Sequence, residues 1–175
     1  VTDELVRGDA ALRECSAAGL ALAEGGVIVD RPVFYPLGGG QAGDTGSLRL
    51  ADGRCIAVTD ARKSKEHPGA VLHLLAQGAE AALLPPGTPV SAEIDWARRF
   101  RHMRFHTTTH LLCALVPYPV DGCSITADYA RLDFHMSEPL DKEALTAGIA
   151  RLVDEAHTVR HRWISEAELD ANPGL

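Results

Sequence analysis

The rhythm of apolar and polar positions changes near Asp95. Before it, apolar residues fall in short runs separated by glycine, proline and charged residues: Cys15–Leu22, Val27–Asp30, Thr45–Leu50, Cys55–Thr59, Val71–Leu75 and Val90–Ile94. Short strands at this spacing predict a small barrel. Glu24-Gly25-Gly26 and Ala51-Asp52-Gly53 predict hairpin turns, the second more strongly because Asp-Gly suits a tight turn. After Asp95 the residues from Ala97 to Leu115 contain no proline or glycine, and Phe100, Met103, Leu111, Leu112 and Leu115 fit a helix that Pro117 and Pro119 end. Strands are expected around Ser124–Ile125 and Ala130–His135. Asp141 can cap a second helix, whose Leu145, Ile149, Leu152 and Val153 are expected to face a sheet. His157–Ile164 alternates like a strand, and Ser165 with Glu168 makes a capping box for a last short helix. Asn172-Pro173-Gly174 reads as a turn rather than a domain end, so the domain is expected to continue past Leu175. The fold class expected is α+β. A β-barrel occupies residues 1–95, and an α/β domain occupies residues 96–175, with its first helix packed on an antiparallel sheet.

Composition narrows the functions. The net charge of -7 does not mark a general binder of polyanions, but the basic residues cluster. Arg98, Arg99, Arg101, His102 and Arg104 lie close together, and Arg160, His161 and Arg162 form a smaller group. An RNA-facing patch and a solvated helix face would look alike here. Four scattered cysteines, Cys15, Cys55, Cys113 and Cys123, form neither a disulfide framework nor a Cys-x-x-Cys motif. No apolar run approaches the roughly 20 residues that span a bilayer, and no signal-peptide pattern opens the chain, so a cytoplasmic location is expected.

Two motifs carry candidate chemistry. His106-Thr107-Thr108-Thr109-His110 puts two imidazoles on one helix face, where they can share a metal ion or simply lie paired at the surface. A metalloprotease would have glutamate where Thr107 stands. In Phe34–Gly46, glycines 38, 40 and 43 match the dinucleotide-binding spacing, but a strand rather than a helix is predicted next, which excludes that reading. These glycines fit a barrel turn, or a close approach of backbone to ligand.

Together, Phe34–Gly46 and the run from Arg98 to Leu112 resemble the alanyl-tRNA editing family, which includes the editing domain of alanyl-tRNA synthetase and the free-standing AlaX proteins. The resemblance continues through Gly122-Cys123-Ser124-Ile125, Arg131-Leu132-Asp133-Phe134 and Arg162-Trp163-Ile164 to Asn172-Pro173-Gly174-Leu175, and so covers essentially the whole chain. It implies a barrel followed by an editing domain shared with threonyl-tRNA synthetase. The implied reaction is hydrolysis of the ester that joins a wrong serine or glycine to the tRNA for alanine. It further implies that His106 and His110 ligate zinc, the remaining ligands lying in a Cys-x-x-x-His segment beyond Leu175. A relative that has lost the complete metal site, and only binds tRNA or protein, is the alternative. Gln41 resembles a residue lining the editing pocket; with Thr107 it is a candidate catalytic residue. Gly39, Gly40, Gln41, Pro32, Arg99 and Arg101 are candidate substrate-binding residues, and mischarged tRNA is the expected partner. Two departures stand out. Pro32 replaces a threonine common in the family, which removes a hydroxyl, and Thr108-Thr109 replaces Ala-Leu.

Overall fold

A computed structural model describes residues 2–79, 81–160 and 162–172. They fall into two compact units, divided between Pro139 and Leu140. In the first, a single helical turn α1 (Leu5–Gly8) precedes strands β1 (Glu14–Ala23), β2 (Gly26–Val29), β3 (Gly46–Leu50), β4 (Cys55–Lys63), β5 (Val71–Leu75) and β6 (Pro89–Ile94). These close into an antiparallel barrel in the order β1-β2-β5-β4-β3-β6. The two predicted hairpins join β1 to β2 and β3 to β4. In the first turn Glu24 and Gly25 both have positive φ (49° and 79°), the geometry that matches the twist of paired strands.

Alternation explains the core. Along β4, Ile56, Val58 and Ala61 point inward while Cys55, Ala57 and Thr59 stay outside. They meet Val27, Val29, Phe34, Leu48, Val71, Leu84, Val90, Ala92 and Ile94 in the barrel interior. All four residues of β2 are buried, and Ile28 joins a second cluster with Ala23, Ala70 and Leu72. His73 is enclosed in this core. Its Nδ1 donates to Val27 O at 3.1 Å, and its ring stands edge-on to Phe34. Burial pushes its pKa down to about 4, so it is neutral.

The barrel ends in the helix. Asp95 N donates to Thr45 O (2.7 Å), and the Asp95 carboxylate accepts from Arg98 N (3.0 Å), capping α2 (Trp96–Leu115) directly after β6. After α2 comes a hairpin, β7 (Val120–Ile125) and β8 (Ala130–Phe134), whose strands both pack against α2. β7 begins four residues before the expected strand.

The second unit holds α3 (Lys142–Asp154), capped by Asp141, and α4 (Glu166–Asp170), capped by Ser165 accepting from Glu168 N. Two expectations change here. The described part of His157–Ile164 forms no strand, because alternation without a neighbouring edge gives its backbone groups no partners. Leu145, Ile149, Leu152 and Val153 do lie along α3, yet no residue of that helix is buried and no sheet exists within its unit among the described residues. His161, Pro173, Gly174 and Leu175, drawn on above, lie outside the described residues.

Candidate active site

The connection from β2 to β3 folds back over the barrel. Tyr35 and Asp44 close it: Asp44 N donates to Tyr35 O (3.0 Å), and Tyr35 N donates to Asp44 Oδ2 (2.7 Å). At its tip Gly38 and Gln41 exchange main-chain hydrogen bonds, with Gly39 and Gly40 between them at positive φ. A strand, β3, follows the glycines, as the rejection of a dinucleotide site required.

The tip is fastened to the hairpin. Ile125 N donates to Gly40 O (2.8 Å) and Ala42 N to Ile125 O (3.0 Å), a parallel bridge between loop and β7. A Cβ on Gly40 would lie 2.8 Å from Cys123 Cβ, O and Sγ, so only glycine fits there. The bridge delivers Gln41, 3% exposed, to α2. His106 Nδ1 donates to Gln41 Oε1 at 2.9 Å. One turn on, His110 stacks on His106, with ring centroids 5.2 Å apart and planes 9° from parallel. Burial, and after it the neighbouring His110, hold His106 below the ordinary histidine pKa.

The other expected residues occupy three environments. Arg99 is inside, 1% exposed. Its guanidinium pairs with Asp44 and donates to Ala10 O and Val33 O, each at 3.0 Å. Those donors are already taken, so Arg99 fastens α2 to the barrel loop and offers nothing to an RNA phosphate. His102, from the same basic run, is fully buried, and neither ring nitrogen has a partner among the described residues. Burial, then Arg98, hold its pKa below the ordinary histidine value. Arg98 is half-buried and donates to Gly43 O (3.4 Å). Only Arg101 and Arg104 of the run stand exposed. With Phe105, Thr108, Ala127 and Asp128 they line a cleft of about 370 Å³, and Arg101 lies 4.0 Å from Asp128. Pro32 is buried, its carbonyl accepting from Leu5 N. Thr108 and Thr109 hydroxyls are spent on the carbonyls of Arg104 and His106, whereas Thr107 is half-buried with its hydroxyl unpartnered among the described residues.

Sequence reasoning missed Asp44 and Cys123. Asp44 lies 55 positions from the arginine it holds, and only an acidic residue inside an otherwise apolar and glycine-rich stretch signals it.

The donor set suits zinc in kind. A ligating imidazole commonly gives its second N–H to an oxygen acceptor, as His106 does to Gln41, which leaves Nε2 with its lone pair. It is short in number: among the described residues no group of three or more His, Cys, Asp or Glu side chains is placed to hold a metal ion.

Comparison with known proteins locates this arrangement. Residues 9–98 match the family model described as tRNA synthetases class II (A). Similar proteins include an alanine–tRNA ligase of Pyrococcus furiosus, 34% identical over 99% of this chain and 19% of the relative. Another from Metallosphaera sedula is 40% identical over 85% and 17%. The alanyl-tRNA editing protein AlaX-M of Methanosarcina mazei is 34% identical over 97% of this chain and 70% of its own length. The chain thus spans under a fifth of the two ligases it matches, and about two thirds of the editing protein. Barrel, glycine loop and the start of α2 define a domain of the class II synthetase group. Within it, the chain belongs to the AlaX-type alanyl-tRNA editing family.

Proposed function

We propose that this chain carries the deacylating site of an alanyl-tRNA editing hydrolase, which removes serine or glycine from mischarged tRNA for alanine in the cytoplasm. The observation that carries the reading is the grouping of His106, His110 and Gln41 in a chain of this family. His106 and His110 would hold zinc, with further ligands from outside the described residues. The chemistry such a metal supplies is activation of a water or anchoring of the aminoacyl amine. The protein's own part is positional. Gly39 and Gly40, without side chains, let a substrate approach the loop backbone. Gln41 orients, since an amide is a poor base. Thr107 contributes a hydroxyl that has no partner among the described residues. Arg101, with Arg104, would meet tRNA phosphates along the exposed flank of α2, while Arg99 holds that helix in place. Pro32 offers neither hydroxyl nor N–H, so discrimination of serine here does not use the family's threonine.

The test is zinc content per chain measured beside deacylation of serine-charged tRNA for alanine, with His106→Ala as control. About one zinc per chain, with both signals lost in the variant, supports the proposal. Neither zinc nor turnover in the unaltered chain would sink it and leave a tRNA-binding relative.

A further inference from the structure

Gln41 is held more firmly than a turn residue needs to be. Its own N–H and C=O are both paired with Gly38, and its neighbours Gly40 and Ala42 are paired with Ile125. The side chain is buried, so water does not readily take the place of its amide. Its Oε1 lies 2.9 Å from His106 Nδ1. A carbonyl oxygen only accepts, so the single ring proton of a neutral imidazole sits on Nδ1 and Nε2 carries the lone pair. In water the opposite tautomer, with the proton on Nε2, is the commoner one. Something must therefore hold the rarer form, and Gln41 is the hydrogen-bond partner that His106 Nδ1 has among the described residues.

We propose that Gln41 is a positioning residue that fixes His106 as its Nδ1–H tautomer and so reserves Nε2 for an electrophilic ligand, a divalent metal cation above all. The tautomer rests on geometry alone; only the identity of the ligand rests on the function proposed above.

The experiment is a two-bond ¹H–¹⁵N correlation on the labelled chain at pH about 8, where imidazoles are neutral, with His106 assigned by its loss in His106→Ala. The unaltered chain should show a protonated, pyrrole-type Nδ1 and a pyridine-type Nε2. Gln41→Met, which keeps length but removes the acceptor, should reverse or average the two signals. It should also weaken zinc binding in a competition titration by about 10–100-fold, the usual cost of losing such a support. Gln41→Glu retains an oxygen and should restore both readouts. An Nε2–H tautomer in the unaltered chain, or an unchanged pattern in Gln41→Met, overturns the proposal. The first of these needs no variant to fold. If the unaltered chain binds no zinc, the tautomer signals decide alone. A chain with the expected tautomer but no deacylation would refute the hydrolase and leave the role of Gln41 standing.

Discussion

The two ends of α2 live under different rules. Near its start, Arg99 and His102 are sealed against the barrel, and the Arg99 guanidinium is paired with Asp44 and with two carbonyls. Two turns later, His106 is only half-buried, His110 is exposed, and among the described residues the one side-chain hydrogen bond from the pair to the rest of the molecule runs to Gln41. One helix is thus both an anchor and a presenting arm. A fully satisfied charge cannot also bind a ligand, so side chains that fix the fold and side chains left for chemistry have to differ, even seven residues apart.

Breaking the anchor should have the largest effect. Asp44→Ala strands a buried guanidinium and should cost about 3–5 kcal/mol in urea unfolding; a loss under about 1 kcal/mol would show that the junction is hydrated and not dry. Acid should strain the anchored side more gently. His73 has a folded pKa of about 4, against an unfolded value near 6.5, so between these the unfolded chain binds more protons. Its contribution is whole above pH 6.5 and falls as the pH drops toward 4, by about 2 kcal/mol between pH 7.5 and 5. His102, also lowered, acts in the same direction. Unfolding midpoints across this range should flatten in His73→Leu, and an unaltered slope would acquit His73.

At the presenting end the effects on stability shrink while those on function grow. Gly40→Ala meets Cys123 and adopts an unfavourable φ, for about 1–2 kcal/mol. It should reduce deacylation far more than it lowers the melting temperature, by moving Gln41 off His106; parallel losses would mean the loop is merely structural. Arg101→Ala with Arg104→Ala should change stability by under about 0.5 kcal/mol, yet weaken tRNA binding and flatten its salt dependence. Arg99→Ala, by contrast, should reveal itself first as unfolding.

The barrel was legible because its signals are local: alternation, Asp-Gly and Gly-Gly turns, and prolines between strands. Helix α2 was legible for the same reason, from a run without proline or glycine that two prolines end. Five basic residues at neighbouring positions, however, carry no mark of which face the barrel. Only the phase of the helix against Asp44 buries Arg99 and His102 and leaves Arg101 and Arg104 outside. The motif likewise displays His106 and His110 but not the link to Gln41, which depends on a loop 65 positions away meeting a hairpin later in the chain. The described part of His157–Ile164 failed in the opposite way, since a strand-like pattern specifies a face but cannot supply the edge it needs.

Gln41 owes its place to main-chain pairing among Gly40, Ala42 and Ile125. Drift in the outward-facing side chains of the hairpin would therefore leave the site undisturbed, whereas a single inserted residue ahead of Ile125 would shift the pairing and carry Gln41 away from His106. In lineages that keep this site, hairpin length should vary less than hairpin spelling.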